Sequence, residues 1–120
     1  TENYHNELLG DLIPAVEGTY STYAEDTTAE GIRASRDHRA FCGFSMGSVA
    51  IWRTFQYCLD DFRYFLPSSG SLTADVEDGT FRYANNEKEG NLYFLEQEGG
   101  THNGDYAMEY FYNGLCWIWQ

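Results

Sequence analysis

The run His38-Arg39-Ala40-Phe41-Cys42-Gly43-Phe44-Ser45-Met46-Gly47 carries most of the information about the fold. Its first part, residues 38–44, is largely apolar and is bounded by a polar segment and by glycine, which predicts a short buried strand. Apolar residues then recur three or four positions apart, and this spacing predicts a helix. They are Val49, Trp52, Phe55 and Leu59. A turn at Ser45 therefore joins a strand to a helix.

The residues of this turn, Gly43 to Gly47, have the form Gly-x-Ser-x-Gly, which is a weak signal by itself. A chain of this length contains the pattern by chance roughly one time in twenty. The predicted strand and helix strengthen it, because a nucleophile elbow places its serine on a turn between a strand and a helix. We expect Ser45 to be strained and its hydroxyl exposed, and side chains at Gly43 and Gly47 to collide with neighbouring elements. The alternative is a tight turn that needs glycine and tolerates serine.

The backbone N–H of Met46 is the candidate oxyanion-hole donor. It lies at the predicted helix N-terminus, next to Ser45, and faces the oxygen that becomes negative during acyl transfer. Losing one such donor typically costs about 3 kcal/mol of transition-state stabilisation.

A serine nucleophile needs a base, and the chain has three histidines, His5, His38 and His102. Sites in parallel sheets form beyond the carboxyl ends of the strands. His38 begins the strand that Ser45 ends, so at about 3.3 Å per residue it lies roughly 20 Å away. Nothing in its position favours His5. His102 follows a predicted strand through a glycine-rich loop and lies downstream of the serine, so it is the predicted base. Its alternative role is that of an exposed loop residue.

The acid that would orient the histidine is not assigned. It should lie on a loop between Ser45 and His102, and this interval contains Asp60, Asp61, Asp75, Glu77 and Asp78. Asp60 and Asp61 are predicted at a helix end, on the far side of the sheet. No strand is visible before Asp75 or Asp78. Solvated surface charge is the alternative for Asp75 and Asp78.

The remaining segments indicate an α/β fold with a mostly parallel sheet flanked by helices. Residues 4–16 predict an amphipathic helix that Pro14 disturbs and Gly18 ends. Residues 19–37 predict a surface excursion. Residues 62–66, closed by Pro67, and residues 91–97 predict two further strands, separated by a poorly patterned segment. Apolar residues then define a C-terminal helix, namely Ala107, Phe111, Leu115 and Ile118. Strand, helix and strand across the serine turn form a βαβ unit.

Length and charge narrow the classes of function. The 120 residues suffice for a single domain, residues 1–120. A formal charge of −12 repels phosphate backbones and anionic lipid, so we expect neither nucleic-acid nor membrane binding. No stretch approaches the roughly 20 apolar residues of a membrane span. The chain opens with Thr1 and shows no signal segment, which predicts a processed product or a fragment.

The cysteines Cys42, Cys58 and Cys116 are odd in number and lack metal-type spacing. One disulfide with a free thiol and three thiols are both compatible with the sequence. No motif in the chain predicts a metal or a cofactor, and the sequence does not indicate an oligomeric state.

Beyond the elbow and the histidine loop, many stretches in order along the chain resemble feruloyl esterases. These enzymes form the esterase-D-like group of α/β-hydrolases, carbohydrate esterase family one. The similar stretches are His5-Asn6-Glu7-Leu8-Leu9, Asp11-Leu12-Ile13-Pro14, Tyr20-Ser21-Thr22-Tyr23, Ala34-Ser35-Arg36, His38 to Gly47, Cys58-Leu59-Asp60, Tyr64-Phe65-Leu66-Pro67, Ser69-Gly70, Gly90-Asn91-Leu92-Tyr93-Phe94-Leu95, Gly99-Gly100-Thr101-His102 and Tyr110-Phe111-Tyr112-Asn113-Gly114-Leu115.

The resemblance implies a serine esterase that releases ferulate or a related hydroxycinnamate from arabinose on xylan. It implies a partial α/β-hydrolase fold, Ser45 as nucleophile, His102 as base, a feruloylated arabinoxylan or small aromatic ester as substrate, and secretion. It also implies a shortened chain. The family's first strands and second oxyanion-hole donor would precede Thr1, and its triad aspartate would lie in additional residues between about Leu72 and Phe81.

Two alternatives remain open. The first is a non-catalytic remnant that binds xylan or phenolics through tyrosines and tryptophans, which can stack on rings. Trp52 and Trp119 argue against it, because both lie on apolar helix stripes and are predicted to be core residues. The second is an acetyl or general carboxylesterase on the same scaffold.

Overall fold

The computed structural model describes residues 3–70, 95 and 97–119. Two parallel strands, β1 (Ala40–Phe44) and β2 (Tyr64–Ser68), pair in register from Ala40 opposite Tyr64 to Phe44 opposite Ser68. The helix α4 (Met46–Tyr57) connects them and packs on both. This is the predicted βαβ unit. The described part of the chain is thus a small parallel sheet flanked by helices, as expected for a partial α/β fold.

The N-terminal segment forms one helical run with a change of winding in its middle. It comprises α1 (Tyr4–Glu7), a π-helical stretch (Leu8–Leu12) and α2 (Ile13–Thr19). Pro14 lies in the first turn of α2. Because proline has no N–H to donate and crowds the preceding turn, the wider winding before it is the expected response. The predicted disturbance is present, although the helix continues to Thr19, past Gly18.

The surface excursion predicted for residues 19–37 is wrong in part, since it contains the helix α3 (Ala29–Ala34) and a 3-10 turn (Arg36–His38). The side chain of Thr28 caps α3 by accepting a hydrogen bond from the N–H of Gly31, at 3.1 Å. Ile32 is the single buried residue of the helix. A helix of six residues with one buried position has no apolar periodicity by which a sequence could reveal it.

The two described strands also begin later than predicted. β1 starts at Ala40, because His38 completes the 3-10 turn. β2 starts at Tyr64 and includes Pro67. The residues before it form a turn instead, in which the N–H groups of Asp61 and Phe62 both donate to the carbonyl of Cys58. Most of the third predicted strand, residues 91–97, lies outside the described residues.

The C-terminal helix that the apolar spacing predicted is present as α5 (Gly104–Ile118), and it packs on β2. Gly114 makes the close approach possible, because a Cβ there would lie 2.5 Å from a methyl group of Leu66. The prediction that Trp119 is a core residue is wrong, because Trp119 follows α5 and its surface is 60% exposed. Trp52 is half-buried.

The hydrophobic core joins the N-terminal helices, α3 and the sheet. The buried members of this cluster are Leu8, Ile13, Ile32, Cys58 and Phe62, and three further hydrophobic residues are buried outside it, namely Ile51, Ala107 and Ile118. The three cysteines are free thiols, with Cys42 and Cys116 exposed and Cys58 buried. Burial, together with the negative charge of Asp61, raises the pKa of the Cys58 thiol to about 12. Cys58 is therefore a core residue that stays protonated.

Arg39 ties four elements together. Its guanidinium donates to the carbonyls of Ile32 at 2.9 Å and Asp61 at 2.7 Å, and to the hydroxyl of Ser35 at 2.8 Å. It also forms an ion pair with Glu17 at 2.5 Å, in which each side chain is only 11% exposed. α2, α3, β1 and the turn before β2 are thereby held at the amino ends of the strands.

Candidate active site

Ser45 lies directly after β1 and has the backbone angles φ 58° and ψ −117°. Positive φ is costly for a residue with a side chain and persists only where the surroundings enforce it. Here the N–H of Ser45 donates to the carbonyl of Ser68 at 3.0 Å, and its own carbonyl accepts from Val49 at 3.2 Å. The end of β2 and the first turn of α4 therefore hold the serine in the strained conformation that the motif predicts.

The two glycines of the motif differ in their steric role. A Cβ on Gly43 would lie 2.6 Å from the carbonyl carbon and oxygen of Gly47, so only glycine fits there. A Cβ on Gly47 would meet no atom of the described residues within 4 Å. The expectation that a side chain at Gly47 would collide is therefore not met in the described part of the chain. The backbone of Gly47 is instead the surface on which Gly43 packs.

Gly70, just beyond β2, packs directly against the turn that contains Ser45. A Cβ there would lie 2.6 Å from the carbonyl oxygen of Ser45 and would also overlap the side chain of Ser48. Ser48 is buried in the first turn of α4. The backbone beyond one strand thus packs directly against the serine turn that follows the other, and glycine allows this approach.

The structure brings His102 to Ser45, although 57 residues separate them along the chain. His102 Nε2 lies 2.8 Å from Ser45 Oγ, within hydrogen-bond distance. Its imidazole also stacks on the ring of Phe44, with centroids 4.7 Å apart and planes at 25°. His5 and His38 lie elsewhere, stacked on Tyr57 and Tyr23. A serine hydroxyl paired with an imidazole nitrogen is the arrangement from which a serine is activated as a nucleophile.

Asn103 fixes the loop that carries the histidine. Its side-chain oxygen accepts from the N–H groups of Asp105 at 3.0 Å and Tyr106 at 3.1 Å, which caps α5. Its amide nitrogen donates to Thr101 Oγ1 at 2.9 Å, so Asn103 bonds on both sides of His102. This role of Asn103 was not predicted above, although asparagine before Gly104 and an acidic first turn are typical signals of a helix start.

Met46 is the first residue of α4, and its backbone N–H has no acceptor within the helix. The positive end of the helix dipole lies at the same point. Its side chain is 72% exposed. A developing negative oxygen next to Ser45 would meet both the N–H and the dipole, so the geometry is compatible with the predicted oxyanion role.

Among the residues that the structure describes, none is an acid partner of the histidine. Within residues 3–70, 95 and 97–119, His102 contacts Ser45 and Phe44 and no carboxylate. Asp60 and Asp61 precede β2, at the opposite end of the sheet from Ser45. Asp61 is buried there beside Arg33 at 3.7 Å, and burial raises the pKa of its carboxyl. The other candidates, Asp75, Glu77 and Asp78, lie outside the described residues.

Comparisons with known proteins point to one family of enzymes. The chain matches the feruloyl esterase module of Clostridium thermocellum, solved as a serine-to-alanine mutant with sinapinate, at 47% identity over 62% of this chain, with a TM-score of 0.60. A second solved structure, of a protein named FAE, is 41% identical over 72% of this chain, with a TM-score of 0.59. The resemblance to feruloyl esterases is confirmed.

The chain is also similar to part of a curated protein that is named as a xylanase. The endo-1,4-beta-xylanase Y of Acetivibrio thermocellus is 52% identical over 69 residues, which is 58% of this chain. The chain spans only part of each relative: 26% and 32% of the two solved chains, and 6% of the xylanase. No protein-family profile matches it.

The described residues contain neither a candidate metal site nor a membrane-spanning helix. No group of three or more His, Cys, Asp or Glu side chains within them could hold a metal ion. None of the helices in this part of the chain has both the length and the apolar character that a transmembrane segment requires.

Proposed function

We propose that this chain is a serine esterase that hydrolyses feruloyl or related hydroxycinnamoyl esters of plant xylan through an acyl-enzyme. One observation carries the proposal: Ser45 Oγ lies 2.8 Å from His102 Nε2 on a strained turn between a strand and a helix. The similarity to a feruloyl esterase module and to a xylanase supports the choice of substrate.

In the first half of the reaction, His102 Nε2 accepts the proton of Ser45 as Oγ attacks the ester carbonyl carbon. The carbonyl oxygen becomes negative and accepts a hydrogen bond from the N–H of Met46. His102 then gives the proton to the arabinose oxygen, the ester C–O bond breaks, and the sugar leaves as an alcohol. The hydroxycinnamoyl group stays on Ser45.

In the second half, His102 takes a proton from a water molecule, whose oxygen attacks the acyl-enzyme carbonyl. The bond to Ser45 Oγ breaks and the proton returns to the serine. Ferulic acid is released and ionises at neutral pH. The formal charge of −12 repels this anion but has little effect on the neutral ester, so the charge favours product release.

The acyl group, the compartment and the domain organisation belong to the same proposal. A small aromatic ester or a feruloylated arabinoxylan fragment would be the substrate, and secretion follows from the plant polymer as substrate. Residues 1–120 would act as one domain. An acetyl or general carboxylesterase is distinguished by comparing acetyl and feruloyl esters of the same sugar.

Ferulate release from a feruloylated arabinoxylan fragment tests the proposal. We expect the wild-type chain to release ferulate and Ser45→Ala to release none while still binding the fragment, because only the nucleophile is removed. His38→Gln is the matched histidine control, since His38 stacks on Tyr23 and lies away from the serine. Binding without release by the wild-type chain would instead support the non-catalytic remnant, to which exposed Tyr23 and Trp119 could contribute.

A further inference from the structure

Phe44 is the one aromatic contact of the histidine within the described residues. Its ring centroid lies 4.7 Å from that of His102, and the two planes are 25° apart. The imidazole is therefore fixed at two points: its Nε2 edge by Ser45 Oγ and one face by Phe44. Neither contact alone sets the ring, because a single hydrogen bond allows rotation about its axis and a stack allows sliding.

The backbone of Phe44 is well suited to such a role. Phe44 is the last residue of β1 and pairs with Ser68 in the parallel register. It directly precedes Ser45, whose N–H is bonded to the same Ser68. The backbones of Phe44 and Ser45 are therefore both set against Ser68 of β2, which places the serine and the aromatic residue side by side at the end of the sheet.

We propose that Phe44 is a positioning residue, which holds the imidazole of His102 in the plane that directs Nε2 at Ser45 and favours the imidazolium that forms during proton transfer. The catalytic part rests on the proposed esterase function, whereas the positioning part rests on the stack alone. An aromatic face within about 6 Å attracts a cation through its quadrupole, so the contact strengthens when His102 becomes charged. A contact that is stronger in the charged state lowers the barrier to proton transfer.

Nuclear magnetic resonance tests the positioning part without any substrate. Imidazole protons above an aromatic face are shielded, so replacing the ring should move the His102 signals downfield. All three histidines of the chain stack on a ring, His5 on Tyr57 and His38 on Tyr23. In Phe44→Leu only the His102 signals should move, and the other two histidines report that the fold is intact. The variant His102→Gln assigns the signals by removing them.

The rate of labelling by a serine-directed phosphonate tests the catalytic part. We expect Phe44→Leu to lower this rate about 2- to 30-fold, the range that a cation–π contact of ordinary strength corresponds to. Phe44→Tyr and Phe44→Trp keep a ring and should restore most of the rate. Phe41→Leu, on the same strand but packed against Tyr4 and Phe62, is the control for losing an aromatic residue from β1.

Each result decides one part of the proposal. His102 signals that stay in place in Phe44→Leu would overturn the positioning role. Signals that move while the labelling rate stays at the wild-type value, or a rate that Phe44→Tyr fails to restore, would overturn the catalytic part. If the wild-type chain itself is not labelled, the esterase proposal fails, and the signals alone decide the positioning role. Phe44→Met, which keeps an apolar side chain of similar size, replaces the leucine variant if that one does not fold.

Discussion

At Gly43 the requirement for glycine comes from backbone packing. The space where a side chain would begin is filled by the peptide group of Gly47, at 2.6 Å. The turn that places Ser45 above the sheet is therefore compact because two backbones of the same motif touch. A sequence pattern records that glycine occurs at both positions, but it does not record which of the two has no room for a side chain.

The two glycines should consequently respond differently to alanine. We expect Gly43→Ala to destabilise the fold by about 1–3 kcal/mol, because backbone atoms must shift to admit the methyl group. We expect Gly47→Ala to cost little or even to stabilise, since alanine favours the helix α4. Urea unfolding of both variants measures the difference. Equal losses of stability, or a larger loss at Gly47, would contradict this account of the turn.

At the scale of elements, the βαβ unit could be predicted because each of its parts has a strong local signal. A buried apolar run ends at glycine, and a helix with a clear apolar spacing follows. The helix α3 could not be predicted, because its single buried residue, Ile32, gives no apolar periodicity. The shift of β2 depends on Cys58, whose carbonyl accepts two N–H groups and extends the turn before the strand. Such turns depend on tertiary packing that a local pattern does not contain.

The candidate site likewise contains residues that the sequence predicts and contacts that it does not. Ser45, His102 and Met46 follow from a motif, from chain order and from the rule that sites lie beyond the carboxyl ends of strands. The contact between His102 and Phe44 joins residues 58 positions apart, and no local spacing encodes it. The roles of Asn103 are local, and a search for helix caps would have found its cap.

Asn103 joins the helix α5 to the loop that carries His102. Asn103→Ala should destabilise α5 by about 1 kcal/mol, because the N-terminal cap of the helix is lost. It should also slow phosphonate labelling, because the loop that carries His102 is then held less firmly. Asn103→Asp keeps an oxygen that can cap and adds a charge that suits the helix N-terminus. Thermal unfolding and labelling rates together test this. An alanine variant that matches the wild type in both would show that Asn103 does not fix the loop.

At the scale of the whole molecule, Arg39 and Glu17 join the helical and sheet layers at the end opposite the site. Burial by itself would raise the pKa of Glu17, but hydrogen bonds with Thr22 and Arg39 and the charge of Arg39 hold this pKa below its ordinary value of 4.5. Thr22 lies close to Glu17 along the chain, whereas Arg39 lies 22 residues away from Glu17. No local pattern in the sequence indicates that Glu17 and Arg39 meet.

The lowered pKa predicts how stability depends on pH. Because the unfolded state takes up a proton on Glu17 at higher pH than the folded state, the stabilisation is complete above 4.5 and is lost as the pH falls through the folded value. Glu17→Gln should cost about 3 kcal/mol at neutral pH, since it leaves Arg39 buried without its counter-charge. The difference from the wild type should shrink in acid.

Urea unfolding at several pH values measures this difference. The matched control is Asp37→Asn, because Asp37 pairs with Arg36 and Arg63 at the surface, where 58% of its side chain is exposed. An exposed pair contributes at most about 1 kcal/mol, so the control should change little. A Glu17→Gln variant whose deficit is the same at acid and neutral pH would contradict the pKa assignment.

In the proposed reaction His102 activates Ser45 as a nucleophile, and labelling with a serine-directed phosphonate, followed by mass spectrometry of the peptides, tests this activation. We expect one phosphonyl group per wild-type chain, on the peptide that contains Ser45. We expect no labelling of that peptide in Ser45→Ala and a much slower reaction in His102→Gln. A wild-type chain that stays unlabelled, or one labelled at the same rate with and without His102, would contradict it.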